Sequence, residues 1–132
     1  MIVRLPGSYP TRCRAVIHNG IATFFAVAPS LGPSTYDQTK AALAVVDKTL
    51  AEVGSSKDLI LTATVFIADM AQKDEMNRAW DEWADRDNAP MRVCVSAASA
   101  GLASWKCCSP PLRRSAEQYN GTRFVRHHAR LA

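Results

Sequence analysis

The sequence has no apolar run approaching the ~20 residues that a membrane-spanning helix needs. Its first residues, MIVRLPGSYPTR, contain no apolar signal-peptide core. With 48% hydrophobic residues in a chain of 132, it is still rich enough in apolar side chains to fold around one core. We therefore expect one soluble, cytoplasmic domain without a membrane partner.

Cysteine is scarce, and the four that occur form no metal-binding pattern. Cys13, Cys94, Cys107 and Cys108 include no C-x-x-C pair, and adjacent cysteines seldom share one metal. A disulfide framework is not expected either, because no secretory signal accompanies them. The sequence thus predicts reduced thiols and no metal site.

Most of the chain has no excess of charge of either sign. Residues 1–101 hold 10 Lys+Arg and 11 Asp+Glu, a net charge of −1. Residues 102–132 hold six basic residues and one acidic residue, a net charge of +5. A nucleic-acid interface requires a basic patch, which here would rest on the tail alone. Nucleic acid is therefore not the expected partner.

The first half of the chain indicates a β-hairpin followed by a helix. RAVIH (14–18) and IATFFAVA (21–28) flank Asn19-Gly20, which is typical of a two-residue hairpin turn. From Thr35 onward the apolar residues recur in steps of three and four, which predicts an amphipathic helix ending at Gly54. The buried stripe of that helix should be Thr39, Leu43, Val46, Leu50 and Val53.

A strand, a helix and another strand should follow. LILTATVFIA (59–68) is nearly all apolar, which is typical of a strand buried on both faces. Asp69 and Gln72 fit the start of a second helix. After the turn DNAP (87–90), MRVCV (91–95) again has the pattern of a strand. The apolar stripe of the second helix should be Met76, Ala79, Trp80 and Trp83.

These elements predict an α+β fold. Strands joined through a helix tend to be parallel, whereas a hairpin is antiparallel, so the sheet should be mixed. Two helices would pack most simply on one face and leave the other face uncovered. Because residues 59–67 are apolar on both sides, oligomerisation is the plainest way to cover that face.

Residues 2–102 resemble the RidA/YjgF family of enamine and imine deaminases. The similarity is carried by VIHNG, by DQTKAALAVVDKTLAEVGSSKDLILTATVFIAD, by MNRAWDEW and above all by NAPMRVCV. The form Trp80-Asp81-x-Trp83 resembles a divergent subgroup. The resemblance implies a single domain over residues 1–102 with a chorismate-mutase-like fold, and a homotrimer with clefts between its subunits.

The resemblance also implies a reaction and a site. The family hydrolyses 2-aminoacrylate and related imines to 2-keto acids and ammonia, without a metal or organic cofactor. Arg92 matches the family arginine, which grips the carboxylate of a small 2-imino or 2-keto acid in two parallel hydrogen bonds. Cys94 is expected to line the cleft, and Asn77 and Arg14 complete the predicted substrate-binding set. The alternatives are an interface ion pair for Arg92 and a capping or interface role for Asn77.

Two departures from the family pattern weaken the case for turnover. Arg12-Cys13-Arg14 replaces an aromatic-Ser-Gln-like stretch, and Ala26-Val27 replaces a Gly-Gln pair. A non-enzymatic trimer that binds small carboxylates or a protein at the same clefts is therefore the alternative function. RNA binding or cleavage, which only the basic tail supports, ranks below both.

The stretch LASWKCCSPPLRR (102–114) stands where the family has a last strand of the form apolar-Glu-apolar. Reading the last base of each codon with the first two bases of the next gives Leu, Met or Val, then Glu, then Met or Val, then Leu, starting at Ser104/Trp105. That pattern predicts a shift of the reading frame at or just before Ala103. A shift in the gene, a clone or the sequence record would each produce it, and a genuine tail with coincidental codons is the alternative.

A chain made as written would carry an aberrant basic tail, residues 103–132, in place of that strand. The neighbouring strand would then have an exposed edge, and the reaction would lack its glutamate. Ser109-Pro110-Pro111 disfavours a substitute strand inside a sheet, because proline donates no ladder hydrogen bond.

Overall fold

The computed structural model describes residues 1–30, 32–98 and 107–111. Two 3₁₀ turns, Lys57–Leu59 and Met70–Gln72, accompany the regular elements. None of the helices in these ranges is long and apolar enough to cross a membrane. The elements in chain order are β1 (Ile2–Tyr9), β2 (Arg12–His18), β3 (Ile21–Ala26), α1 (Thr35–Glu52), β4 (Thr62–Ile67), α2 (Lys73–Trp83), β5 (Met91–Ser96) and β6 (Cys107–Pro111).

The predicted hairpin is confirmed as β2 and β3. The two strands pair antiparallel, from His18 opposite Ile21 to Ala15 opposite Phe24. Asn19 and Gly20 between them both have positive φ, 50° and 75°. A two-residue turn with positive φ at both positions matches the twist of the strands, which is why Asn-Gly suits it.

The strand β1, which the apolar pattern does not indicate, pairs antiparallel with β2 at the edge of the sheet. Pro6 and Gly7 obscure it in the sequence, and both are tolerated because an edge strand needs only one ladder. Leu5 lies opposite Ala15 and Pro6 opposite Cys13, so Arg14 is an extra residue on β2. A bulge of this kind re-aims the side chain of its extra residue.

The helix α1 confirms the predicted stripe. Its five apolar-stripe residues are all 5% exposed or less: Thr39, Leu43, Val46, Leu50 and Val53. Ser34 caps the N-terminus by accepting a hydrogen bond from the backbone N–H of Asp37. At the other end Gly54 has a φ of 69°, and its N–H donates to the carbonyl of Ala51. Glycine adopts this left-handed conformation without a steric penalty, so the helix ends there.

The segment from β4 to β5 forms the predicted strand–helix–strand unit. The strands are parallel, with Ala63 opposite Arg92 and Val65 opposite Cys94. The predicted helix start differs in detail. Asp69 accepts from the backbone N–H of Ala71 and so caps the 3₁₀ turn, whereas Gln72 makes no side-chain cap to α2.

Both helices pack on one face of the sheet, and the hydrophobic core lies between the helices and that face. Along β4 the alternate residues Ala63, Val65 and Ile67 are buried. Thr62 is exposed and Phe66 is half-buried. Within one chain β4 is therefore buried on one face only, whereas the sequence predicted burial on both faces. The opposite side, here called the open sheet face, includes Val16, Ile21, Thr23, Phe25, Thr62, Thr64, Phe66, Met91, Val93 and Val95.

The strand β6 completes the sheet. It pairs antiparallel with β3, and it lies beside β4 without forming a hydrogen-bonded ladder with it. The structure differs here from the expectation that the prolines would keep this segment out of the sheet interior. The absent ladder has a physical reason, since Pro110 and Pro111 have no N–H to donate. The hydrogen-bonded strands therefore form two groups, β1-β2-β3-β6 and β4-β5. The other residues of the predicted tail, 103–106 and 112–132, lie outside the described residues.

Candidate functional site

The guanidinium of Arg92 lies on the helix side of β5, where α2 passes over the strand. Its Nη2 donates to Oδ1 of Asn77 at 2.7 Å, and its Nη1 contacts Sδ of Met76 at 3.3 Å. Its central carbon lies 5.3 Å from the centroid of the Trp80 ring. A cation at this distance from an indole ring is attracted by the π electrons. Three side chains of one helix thus fix the orientation of this half-buried arginine.

The helix α2 holds these groups because its own packing is rigid. Met76 is fully buried and Trp80 is 6% exposed, so both anchor the helix in the core. Asn77 follows Met76 directly and lies half-buried at the border of the core. Sequence reasoning placed Met76 on the apolar stripe of the helix and Trp80 in the core and interface, and it missed their contact with Arg92.

No carboxylate neutralises Arg92 within the part of the chain that the structure describes. The guanidinium has five N–H donors, and the contacts with α2 engage one on each terminal nitrogen. Donors therefore remain for a ligand. A half-buried cation with free donors in a fixed orientation suits a planar carboxylate, which accepts two parallel hydrogen bonds. The interface ion pair considered for Arg92 does not form within these residues of a single chain.

Cys94 lies two residues beyond Arg92 on β5. The alternation of a strand places both side chains on the same side, and Cys94 is a free, half-buried thiol packed against the core. The structure therefore brings Arg92, Asn77 and Cys94 to one place, at the helix side of the sheet edge. Cys94 therefore has the position that is expected of a residue lining the site.

Arg14 does not join this group within one chain. The bulge on β2 turns it towards α1, where it forms an ion pair with Glu52, and its Nε donates to the carbonyl of Pro6 at 3.2 Å. Between β2 and β5 lie β3, β6 and β4. A substrate contact from Arg14 to the Arg92 site would require a second copy of the chain, and it stays a prediction.

The two tryptophans of α2 are packing residues. Their rings lie 5.3 Å apart at an angle of 59°. Trp83 donates its indole N–H to Asp47 of α1, and Lys57 donates to the carbonyl of Trp83 at 2.9 Å. In the described ranges, no three His, Cys, Asp or Glu side chains converge in a way that could hold a metal ion.

The sequence matches the family model described as Endoribonuclease L-PSP over residues 25–106. The chain belongs to the RidA/YjgF family. A RutC family protein from Haemophilus influenzae is 45% identical over 92 residues, which cover 68% of this chain and 78% of the relative. The RutC family protein YoaB of Escherichia coli K12 is 40% identical over 82 residues, covering 62% and 72%.

Solved structures of other proteins share the fold. A crystal structure of a YjgF-family protein from Neisseria meningitidis superposes with a TM-score of 0.80 at 32% identity, and covers 87% of this chain and 98% of its own. Yeast Mmf1 superposes with a TM-score of 0.75 at 22% identity. The predicted α+β, chorismate-mutase-like fold with two helices on one face is therefore confirmed.

Proposed function

We propose that this RidA/YjgF-family protein hydrolyses small 2-imino acids and their enamine tautomers, such as those derived from 2-aminoacrylate, to 2-keto acids and ammonia. The observation that carries the proposal is the guanidinium of Arg92, held by Asn77 and Trp80 and paired with no carboxylate in the described residues. Such a group selects a ligand with a carboxylate, and the family membership supplies the expected reaction.

In the proposed reaction Arg92 holds the substrate carboxylate and thereby fixes the adjacent imine carbon. Water adds to that carbon, the imine nitrogen takes up a proton, and the resulting carbinolamine releases ammonia and leaves the carbonyl group. The arginine raises the rate by orienting the substrate, since a fixed geometry removes much of the entropy cost of the addition. Cys94 forms part of the wall of the site.

Activation of the attacking water requires a proton acceptor, which Arg92 and its three contacts on α2 do not supply. We assign this role to cleft backbone groups and to the glutamate that the shifted reading frame would place just before β6. The match to the family model ends at residue 106, immediately before β6. This supports a loss of family sequence near that point.

The proposal includes a homotrimer whose intersubunit clefts contain Arg92. Its support is the open sheet face, on which Phe25 is 46% and Val93 51% exposed. Large apolar side chains grouped on one face of a sheet favour a covered interface. A trimer would also bring β5 of one chain near other strands of the next, which is the arrangement that a contact from Arg14 would need.

A second candidate is a trimer that binds small carboxylates at this site without turning them over. The observation in its favour is that the described residues contain the anchor, Arg92, while no Asp, Glu or His side chain hydrogen-bonds to it. The two candidates share the binding step and differ in the water-activating group.

The test is keto-acid release from an enzymatically generated imine. Replacement Arg92→Ala should lower kcat/KM on the order of 10²-fold, because a charged bidentate contact is lost. Arg86→Ala removes the same charge from an exposed position and should leave kcat/KM within about twofold, as expected of a surface residue. Equal rates for wild type and Arg92→Ala would remove Arg92 from the reaction. Ligand-dependent melting without turnover would favour the binding protein.

A further inference from the structure

We propose that Asn77 is a positioning residue whose neutrality keeps Arg92 available for an anionic ligand. The inference rests on the proposed function, since it concerns the same carboxylate anchor. Asn77 has the one side-chain oxygen that accepts from Arg92 in the described residues, at 2.7 Å from Nη2. It touches the reacting groups only through that arginine, so its role is to orient the anchor and to leave its charge uncompensated.

The surroundings of Asn77 make its lack of charge notable. Asp74 and Asp81 stand three residues before and four residues after it, spacings that share a face of a helix. Neither forms an ion pair with Arg92 in the described residues. The helix therefore carries acids one turn away on both sides, and an amide at the position that reaches the guanidinium.

Charge, not size, distinguishes the possible residues at this position. Aspartate has nearly the shape of asparagine and would accept the same hydrogen bond, but it would add a carboxylate 2.7 Å from Nη2. Such a pair is a strong charge-assisted contact. It would hold Arg92 at least as firmly and would compete with a ligand carboxylate for the same cation. The amide of Asn77 thus orients the guanidinium of Arg92 without neutralising its positive charge.

Met76 and Trp80 likewise orient Arg92 without neutralising its charge. Thioether sulfur is a weak acceptor, and an indole face attracts a cation without accepting a full charge-assisted hydrogen bond. All three groups that orient Arg92 are uncharged. The site therefore favours a ligand with one carboxylate over a neutral ligand of the same shape.

The experiment measures the binding of pyruvate and of pyruvamide, its neutral analogue, to the full-length chain by NMR titration. Asn77→Asp should weaken pyruvate about tenfold or more, since an adjacent opposite charge typically shifts ionic equilibria by 10- to 1000-fold. Pyruvamide binding should change by less than about twofold, because it carries no charge to compete. The melting temperature should stay at or above that of the wild type. That combination is not expected from structural damage alone.

The matched control is Gln72→Glu. It makes the same change of charge just before α2, and it keeps the oxygen that accepts from Thr35. Its pyruvate affinity should remain within about twofold of wild type, as expected for an exposed charge that is screened by solvent. If Asn77→Asp does not fold, Asn77→Ala tests the positioning role instead. Removing the acceptor of the Arg92 hydrogen bond should weaken the binding of pyruvate several-fold.

The outcomes separate this proposal from the one on which it rests. If Arg92→Ala abolishes pyruvate binding while Asn77→Asp leaves it unchanged, Arg92 is the anchor and the role of Asn77 is wrong. Equal losses for pyruvate and pyruvamide in Asn77→Asp also overturn it, because they indicate general damage to the site. If Arg92→Ala binds pyruvate as well as wild type, the proposed function itself fails and this inference fails with it.

Discussion

The indole nitrogen of Trp83 lies 3.0 Å from both carboxylate oxygens of Asp47, and this hydrogen bond ties the end of α2 to the middle of α1. We expect Asp47→Ala to lower the free energy of unfolding by about 1 kcal/mol, because it removes a charge-assisted acceptor at a largely exposed position. Urea unfolding of the two proteins measures the difference. A double-mutant cycle with Trp83→Phe, which keeps an aromatic ring but removes the N–H, should show a coupling of roughly 0.5–1 kcal/mol. Additive effects would contradict a direct bond.

Gly7 on β1 lies against the backbone of Arg12. A Cβ added to Gly7 would lie 2.5 Å from the carbonyl oxygen of Arg12, so Gly7→Ala must displace β1 or β2. We expect a loss of about 1–3 kcal/mol, the usual cost of overpacking. Gly32→Ala is the graded comparison, since the nearest atom there is the Cβ of Asp37 at 3.2 Å. The melting temperature of Gly7→Ala should be clearly lower than that of Gly32→Ala. Equal melting temperatures would mean that the strand shifts without loss of stability.

Phe25 lies on the open sheet face, and it should report the proposed trimer. The substitution Phe25→Asp would place a charge in the interface, and we expect it to convert the assembly to monomers. Sedimentation measures the change from three times the mass of the 14.4 kDa chain to one. Ala44→Asp, at an exposed position of α1 on the other side of the molecule, should leave the mass unchanged. A wild-type protein that sediments as a monomer would remove the trimer from the proposal.

If the shift lies in a clone or in the sequence record, the reading-frame hypothesis predicts that the source cell does not make residues 103–132. A shift in the gene itself would leave these residues in the protein. Sequencing of the coding DNA should show a single-base shift at or just before Ala103, followed by an open frame encoding apolar-Glu-apolar-Leu. Mass spectrometry of the natural protein provides an independent check, because the chain as written must yield the tryptic peptide SAEQYNGTR from residues 115–123. Detection of that peptide would exclude a shift in a clone or in the record, and an early stop in the shifted frame would show the tail to be genuine.

The elements that the sequence predicted best are those whose burial follows one simple period. The stripe of α1 from Thr39 to Val53 and the Asn19-Gly20 turn were predictable because each depends on local geometry alone. β1 was not, because Pro6 and Gly7 break its pattern and an edge strand tolerates them. For β4, apolar composition suggested burial on both faces, whereas within one chain only the side that carries Ala63, Val65 and Ile67 is buried.

The candidate site was only partly predictable for a related reason. Arg92 and Cys94 stand out by the PMRVCV motif, and their shared side of the strand follows from alternation. The contacts of Arg92 with Met76 and Trp80 depend on how α2 crosses β5, which no periodicity specifies. The direction of Arg14 depends on a bulge, and a bulge in a strand has no reliable sequence signal.

The contacts of Arg92, the proposed carboxylate anchor, lie close to it in the sequence. In the described residues, the side chains that orient Arg92 all come from residues 76–80 of α2. Among the strands that the structure describes, β5, which carries Arg92, shares a hydrogen-bonded ladder with β4 alone. A change in the C-terminal coding sequence would therefore leave these contacts in place, and under the proposed function such a protein would retain a carboxylate ligand that it does not hydrolyse.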